Sequence, residues 1–115
     1  MELNGTNTLV AYFSHKGQNY SNGSIVNLQK GNTEVDAETI AGITGADLFE
    51  IVPENTYPNE YKECTDAAMT ELRSGSRPRL ASDVDISAYD VIILGYPCWW
   101  GTMPMPVFSF LESHD

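Results

Sequence analysis

The sequence predicts an α/β fold, a parallel sheet with helices on both faces. Three observations predict it. Asp90 to Gly101, DVIILGYPCWWG, opens with the unbroken apolar run Val91-Ile92-Ile93-Leu94 and breaks at Gly95 and Pro97. A β-branched run of this kind reads as a strand buried on both faces, the usual state of parallel strands under helices. Thr8 to Phe13, TLVAYF, is a second such run and ends at Ser14. Between and after these runs, strand and helix patterns alternate as β-α-β-α-β-α, which implies right-handed parallel crossovers.

Each element has its own signal. After the first strand, His15 to Lys30 turns polar, HKGQNYSNGSIVNLQK. Asn22-Gly23 is a two-residue hairpin turn signal, with Ile25, Val26 and Leu28 on one arm. The first helix begins at Gly31-Asn32-Thr33. Asn32 or Thr33 is its expected N-cap, with Asp36 completing a capping box with Thr33. Val35, Ile40, Ala41 and Ile43 are its expected apolar stripe, and Gly45 its stop. Asp47 to Val52, DLFEIV, reads as the second strand, ended by Pro53.

A second helix follows the Tyr57-Pro58-Asn59 turn, with Tyr61, Cys64, Ala68 and Leu72 at helical spacing, and ends before Gly75. Ser76 to Ala88 is loop-like, with Val84 and Ile86 positioned to reach the core. Asp90 to Tyr96 is the third strand. MPMPVFSFLESHD is the third helix, provided that Pro104 and Pro106 occupy its first turn.

A chain of 115 residues is expected to form one domain, able to bury roughly two-thirds of its unfolded surface. Apolar content of 42% and charged content of 19% favour a folded chain. Sixteen acidic residues against six basic ones give a formal charge of −10. That argues against nucleic acid and against anionic membranes as partners, and leaves a basic protein surface open. Cys64 and Cys98 have no CxxC neighbour, so zinc and dithiol chemistry are unsupported. The N-terminus shows no signal-peptide pattern, and no apolar run reaches membrane-spanning length. A reducing, cytoplasmic setting is expected.

Two loops carry chemistry. Ser14 and the helix start at Gly31, Asn32 and Thr33 can present hydroxyls, an amide and backbone N–H groups to a phosphate. The plainer reading is that Asn32 or Thr33 only caps the helix. In Pro97 to Gly101, a planar ligand would account for two adjacent indoles, each with an N–H to satisfy. The plainer reading is that one or both simply cover the sheet end. In a 2-1-3 strand order, the loops after the first and third strands diverge at the switch point where such sheets bind ligands. GxxxxGK[ST] and GxGxxG patterns are absent. A phosphate-receiver reading fails because the third strand ends in Gly-Tyr-Pro. A hydrolase reading fails for want of a base beside Ser14: His15 is its chain neighbour, and His114 is placed at a frayed terminus.

The stretches LVAYFS (9–14), GNTEVDAETIA (31–41), TGADLFEI (44–51) and YDVIILGYPCWWGTMPMPVFSFL (89–111) resemble the short-chain, FMN-binding flavodoxins and flavodoxin-like proteins. The resemblance implies a three-layer α-β-α flavodoxin-like fold. It implies that Ser14, Asn32 and Thr33 bind the FMN phosphate, with Gly31 permitting close approach. It also implies that Pro97, Cys98, Trp99, Trp100 and Gly101 line the flavin ring. Cys98 reads as a small buried residue in that loop. The chain departs from the family at 15–30, an insertion between the strand-end serine and the Gly-Asn-Thr start. A flavodoxin-like sheet has five strands, and the chain stops after the helix that follows the third. Residues 1–115 are therefore expected to be a partial domain lacking the last two strands, with order 2-1-3. The exposed edge of the third strand then invites homo-oligomerisation. The implied function is FMN-dependent electron transport, by a carrier docking on basic redox partners rather than an NAD(P)H oxidoreductase. The alternative is a flavodoxin-like module without flavin, acting structurally or through a protein partner.

Overall fold

The computed structural model describes residues 7–21 and 23–114. In chain order the elements are β1 (Thr8–Tyr12), β2 (Gly17–Ser21), β3 (Ser24–Leu28), α1 (Asn32–Thr44), β4 (Asp47–Glu50), α2 (Tyr61–Ser74), β5 (Val91–Gly95) and α3 (Met105–Glu112), with a 3-10 turn at Ile86–Ala88. β1 is buried along its whole length because it lies between β4 and β5, parallel to both. Val10 faces Leu48 on one side and Ile93 on the other. This β4-β1-β5 order matches the expected arrangement for those three strands only. Among the described residues there are five strands in two sheets, because β2 and β3 form a separate antiparallel hairpin. Of the Asn22-Gly23 turn, Asn22 lies outside the described residues, and Gly23 takes the positive φ of 84° that such a turn asks of glycine.

The side-chain alternation of β1 builds two cores. Leu9, Ala11 and Phe13 pack with Ile51, Val107 and Phe110 under α3. Val10 and Tyr12 pack with Ala37 under α1, with Ile40, Ala46 and Ile93 at the margin. Val84 and Ile86 reach the first core as expected. The loop that carries them is anchored at Pro53–Leu80, where Ala81 N–H donates to the Val52 carbonyl at 2.7 Å.

Four expectations need correction. Val35 and Ile43 do not face the core: they are 45% and 80% exposed. The sheet-facing side of α1 runs through Ala37 and Ile40. At about 100° per residue, Val35 lies about 160° and Ile43 about 120° away from Ala37 around the helix. β5 is not buried on both faces, with Ile92 38% exposed, because among the described strands it pairs with β1 alone. β4 ends at Glu50 rather than Val52, although Ile51 N–H still donates to the Tyr12 carbonyl (2.7 Å). His114 is not frayed. Its ring packs on Phe110 at 4.9 Å, and Nε2 lies 2.9 Å from Asp83 Oδ1.

Helix ends follow their local chemistry. α1 and α2 stop at Gly45 and Gly75, both left-handed. α3 begins after Pro104, with Pro106 inside its first turn, where a missing N–H costs nothing. Among the described residues, no helix is long and apolar enough to cross a membrane.

Candidate functional site

At the carboxyl end of the sheet, Phe13 N–H donates to the Gly95 carbonyl (2.9 Å), so β1 and β5 are tied where their loops diverge. Ser14 follows. Its Oγ accepts from the Glu34 N–H in the first turn of α1 at 3.1 Å. The helix is thus capped by a residue twenty positions earlier, and the expected cap by Asn32 or Thr33 does not form. Gly31 occupies the cap position without a side-chain bond, and Asn32 and Thr33 are the first helical residues. Asp36 is exposed and closes no capping box. Among the described residues, nothing accepts from the N–H groups of Asn32 and Thr33. Those donors, the dipole behind them and the Ser14 and Thr33 hydroxyls make an anion cradle.

Gly31 itself is buried and does not line the cleft. A Cβ there would lie 2.7 Å from the His15 carbonyl oxygen and closer still to Ser14 Oγ. The close approach that requires glycine is therefore made by the chain itself.

The second loop closes on itself. Trp99 and Thr102 exchange backbone hydrogen bonds of 2.8 and 3.1 Å around Trp100 and Gly101. Both central residues have positive φ, 52° and 80°. That is natural for Gly101 and costs a tryptophan about 1–3 kcal/mol. The two indoles part company here. Trp99 turns inward and meets Phe13, Tyr57 and His15 edge-on, at 5.1, 5.0 and 6.1 Å. Trp100 stays 53% exposed, its Nε1 donating to the Thr65 carbonyl of α2 at 3.0 Å. The plainer reading, cover for the sheet end, holds for Trp99, whereas Trp100 stays exposed. Cys98 is exposed rather than buried.

Between these loops lies a cleft of about 450 Å³, within the range of small-molecule sites. Ser14, Asn32 and Thr33 line one end, and Pro97, Cys98, Trp99 and Trp100 the other. Gly101 is not among the lining residues. The remaining walls were not foreseen as site: Gln18, Asn19 and Tyr20 of the hairpin, and Tyr61, Cys64, Thr65 and Ala68 of α2. The α2 set was visible as a helical stripe, but a stripe of this composition reads as core packing. Among the described residues, no Lys, Arg, Asp or Glu lines this cleft.

Supporting groups are tuned by burial. Tyr57, whose ring holds Trp99, hydrogen-bonds Glu71 of α2 through its hydroxyl. Desolvation pushes the Glu71 carboxyl above the usual carboxylate range, partly opposed by that bond. Burial and the nearby Glu71 push the Cys64 thiol up to about 11. Burial thus favours the neutral thiol at Cys64. Among the described residues, no group of three or more His, Cys, Asp or Glu could hold a metal.

Three comparisons place this geometry. No curated protein matches the sequence significantly. Among solved structures, a candidate flavoprotein from Bacteroides eggerthii DSM 20697 is 29% identical with a TM-score of 0.70, over 95% of this chain and 63% of its own. Another candidate flavoprotein, from Bacteroides uniformis ATCC 8492, is 30% identical with a TM-score of 0.69, over 96% and 65%. A flavoprotein in complex with FMN from Lactobacillus acidophilus NCFM shares the fold at 24% identity and a TM-score of 0.72, over 94% and 66%. The chain therefore spans about two-thirds or less of the length of these structures, 63% to 66%. A family model described as Flavodoxin matches residues 7–115, and by that near-complete match the chain belongs to the flavodoxin family.

Proposed function

We propose that this chain binds FMN along the cleft, with the phosphate at Ser14, Asn32 and Thr33 and the ring beside Pro97, Cys98, Trp99 and Trp100. The observation that carries this reading is the cleft itself. It joins an uncharged anion cradle to an aromatic wall, with no carboxylate along it, among the described residues, to repel a phosphate. The residues present fit the group. Two backbone N–H groups without acceptors among the described residues, and two hydroxyls, suit phosphate oxygens. Trp100 offers an exposed indole near the ring end, and its N–H is already satisfied by Thr65. The FMN-bound Lactobacillus neighbour has this fold.

When bound, FMN supplies the electron exchange. The chain's own residues hold it, exclude water from one side and leave an edge open. The role we assign is an electron carrier, soluble and cytoplasmic. Its charge of −10 suits docking on a basic redox partner. Two free cysteines, Cys64 and Cys98, fit a reducing compartment. The free edge of β5 is the surface we assign to self-association, and a monomer by light scattering at micromolar concentration would remove that part.

The test is a titration of FMN with the purified protein, followed by quenching of flavin fluorescence. Saturable quenching is expected. A folded protein that leaves the fluorescence unchanged would favour the second reading, a flavodoxin-like module without flavin. The observation favouring that reading is the edge of β5, which has no strand beside it among the described residues.

A further inference from the structure

We propose that the β2–β3 hairpin is a wall of the flavin site, with Gln18, Asn19 and Tyr20 lining the place of the bound ring. This rests on the FMN reading above and extends it to a segment that the family resemblance leaves without a role.

The first observation is position. Gln18, Asn19 and Tyr20 line the same cleft as the anion cradle and Trp100. The second is that the hairpin is fastened there. Gly17 has φ 96° and sits so close to Asn59 that a Cβ would lie 3.0 Å from its Cβ and carbonyl oxygen. Gln18 N–H donates to the Asn59 carbonyl at 2.8 Å, and Gln18 Oε1 accepts from the Tyr61 N–H at the start of α2, at 2.9 Å. Asn19 Nδ2 donates to the carbonyls of His15 (2.8 Å) and Gly17 (3.2 Å). His15 Nε2 lies 2.8 Å from the Pro58 carbonyl oxygen. A segment that only bulged from the surface would not need such anchoring at its base.

The third observation is the chemistry left over. Those bonds use the carbonyl of the Gln18 side chain and the amino group of the Asn19 side chain. Among the described residues, Gln18 Nε2 and Asn19 Oδ1 have no partner. One is a donor and one an acceptor. The pyrimidine edge of an isoalloxazine presents carbonyl oxygens on either side of an N–H, and the free amide N–H of Gln18 can meet one of those oxygens. Beside them, Tyr20 is 62% exposed and its ring is 6.3 Å from that of Tyr61, tilted by 42°. A tyrosine pair lining a cleft, with one ring exposed and the other half-buried, is a surface on which a planar ring can lie.

Two variants test this, each checked for an unchanged fold by circular dichroism and melting. Tyr20→Ala removes an exposed ring. Gln18→Glu keeps an oxygen for the Tyr61 N–H, where negative charge is welcome, and replaces the free donor. Both are expected to weaken FMN and riboflavin by the same factor, about tenfold, because the ring is common to the two ligands. Unchanged affinity for both ligands in both variants, with the parent protein binding them, would overturn the role of the hairpin and leave the FMN reading standing. Failure of the parent protein to bind either ligand would overturn both.

Discussion

Two clefts flank the Ser14-His15 backbone, and the larger one is the less suited to a flavin. The second cleft, about 580 Å³, lies toward the ends of β3 and β4 and is lined by Lys16, Lys30, Glu34 and Glu50. The first, about 450 Å³, has no Lys, Arg, Asp or Glu on its walls among the described residues. Ser14 and His15 line both. The carboxylates of the larger cleft act on one another. Glu50 is held above its usual range by desolvation and by Glu34, with Lys16 partly offsetting the shift. They also act through the sheet on the Tyr12 hydroxyl, which burial and Glu50 raise to about 12. A phosphate placed there would meet the carboxylates of Glu34 and Glu50 as well as the ammonium groups of Lys16 and Lys30. On the FMN reading proposed above, the nature of the lining groups, and not volume, favours the first cleft.

The comparison can be broken in order of effect. Trp99→Ala should do the most damage, because this indole packs against Phe13, Tyr57 and His15. A loss of about 3–5 kcal/mol is expected in denaturant unfolding. A loss below about 1 kcal/mol would mean that Trp99 is not part of the core. Thr33→Val should weaken FMN about tenfold and riboflavin little, since only FMN carries the phosphate. Equal losses in a fluorescence titration would move the phosphate away from the α1 start.

The next effect concerns pH. Glu50 and Glu71 both hold their protons to higher pH in the folded chain than an ordinary glutamate, whose pKa is 4.5, chiefly because burial desolvates them. Above that value the folded state binds more protons than the unfolded one, so stability falls as pH rises through the window and recovers on acidification back toward it. Melting curves from pH 7 down to pH 5 should show a rising midpoint, and Glu50→Gln should flatten the slope. A midpoint that drops over the same range would contradict both shifts. Lys16→Ala should have the smallest effect, leaving FMN affinity within about twofold, because Lys16 belongs to the charged cleft alone. A large loss would exchange the roles of the two clefts.

Much of this arrangement was legible in residue patterns. The runs at 8–13 and 91–94, the glycine stops at Gly45 and Gly75, and the prolines opening α3 each have one dominant local solution. What escaped were properties set by neighbours distant in sequence. Ser14 replaced Asn32 and Thr33 as the cap because tertiary approach through Gly31 offered the Glu34 N–H a better-placed oxygen. Val35 and Ile43 look like core residues in a one-dimensional stripe, and only the orientation of α1 on the sheet shows otherwise. The tryptophans were ambiguous for the same reason. Their opposite fates depend on the positive φ at Trp100, which points the two rings apart. The cleft walls from 18–20 and 61–68 depend on how the hairpin docks, and no motif encodes that contact.

The pairing of Gly17 with Leu28 at the base of the hairpin has a consequence for how such a chain can change over time. The backbone leaves the sheet at Ser14 and returns beside it at Gly31, so the excursion begins and ends at nearly one point. Closing a loop of twice the length adds only about 0.6 kcal/mol of entropy cost, and here the antiparallel ladder offsets it. The excursion can therefore lengthen, shorten or be exchanged while the Ser14–Glu34 contact across its mouth persists. Such a position is a natural entry point for grafted segments, and a place where related chains can acquire new recognition without rebuilding the sheet beneath.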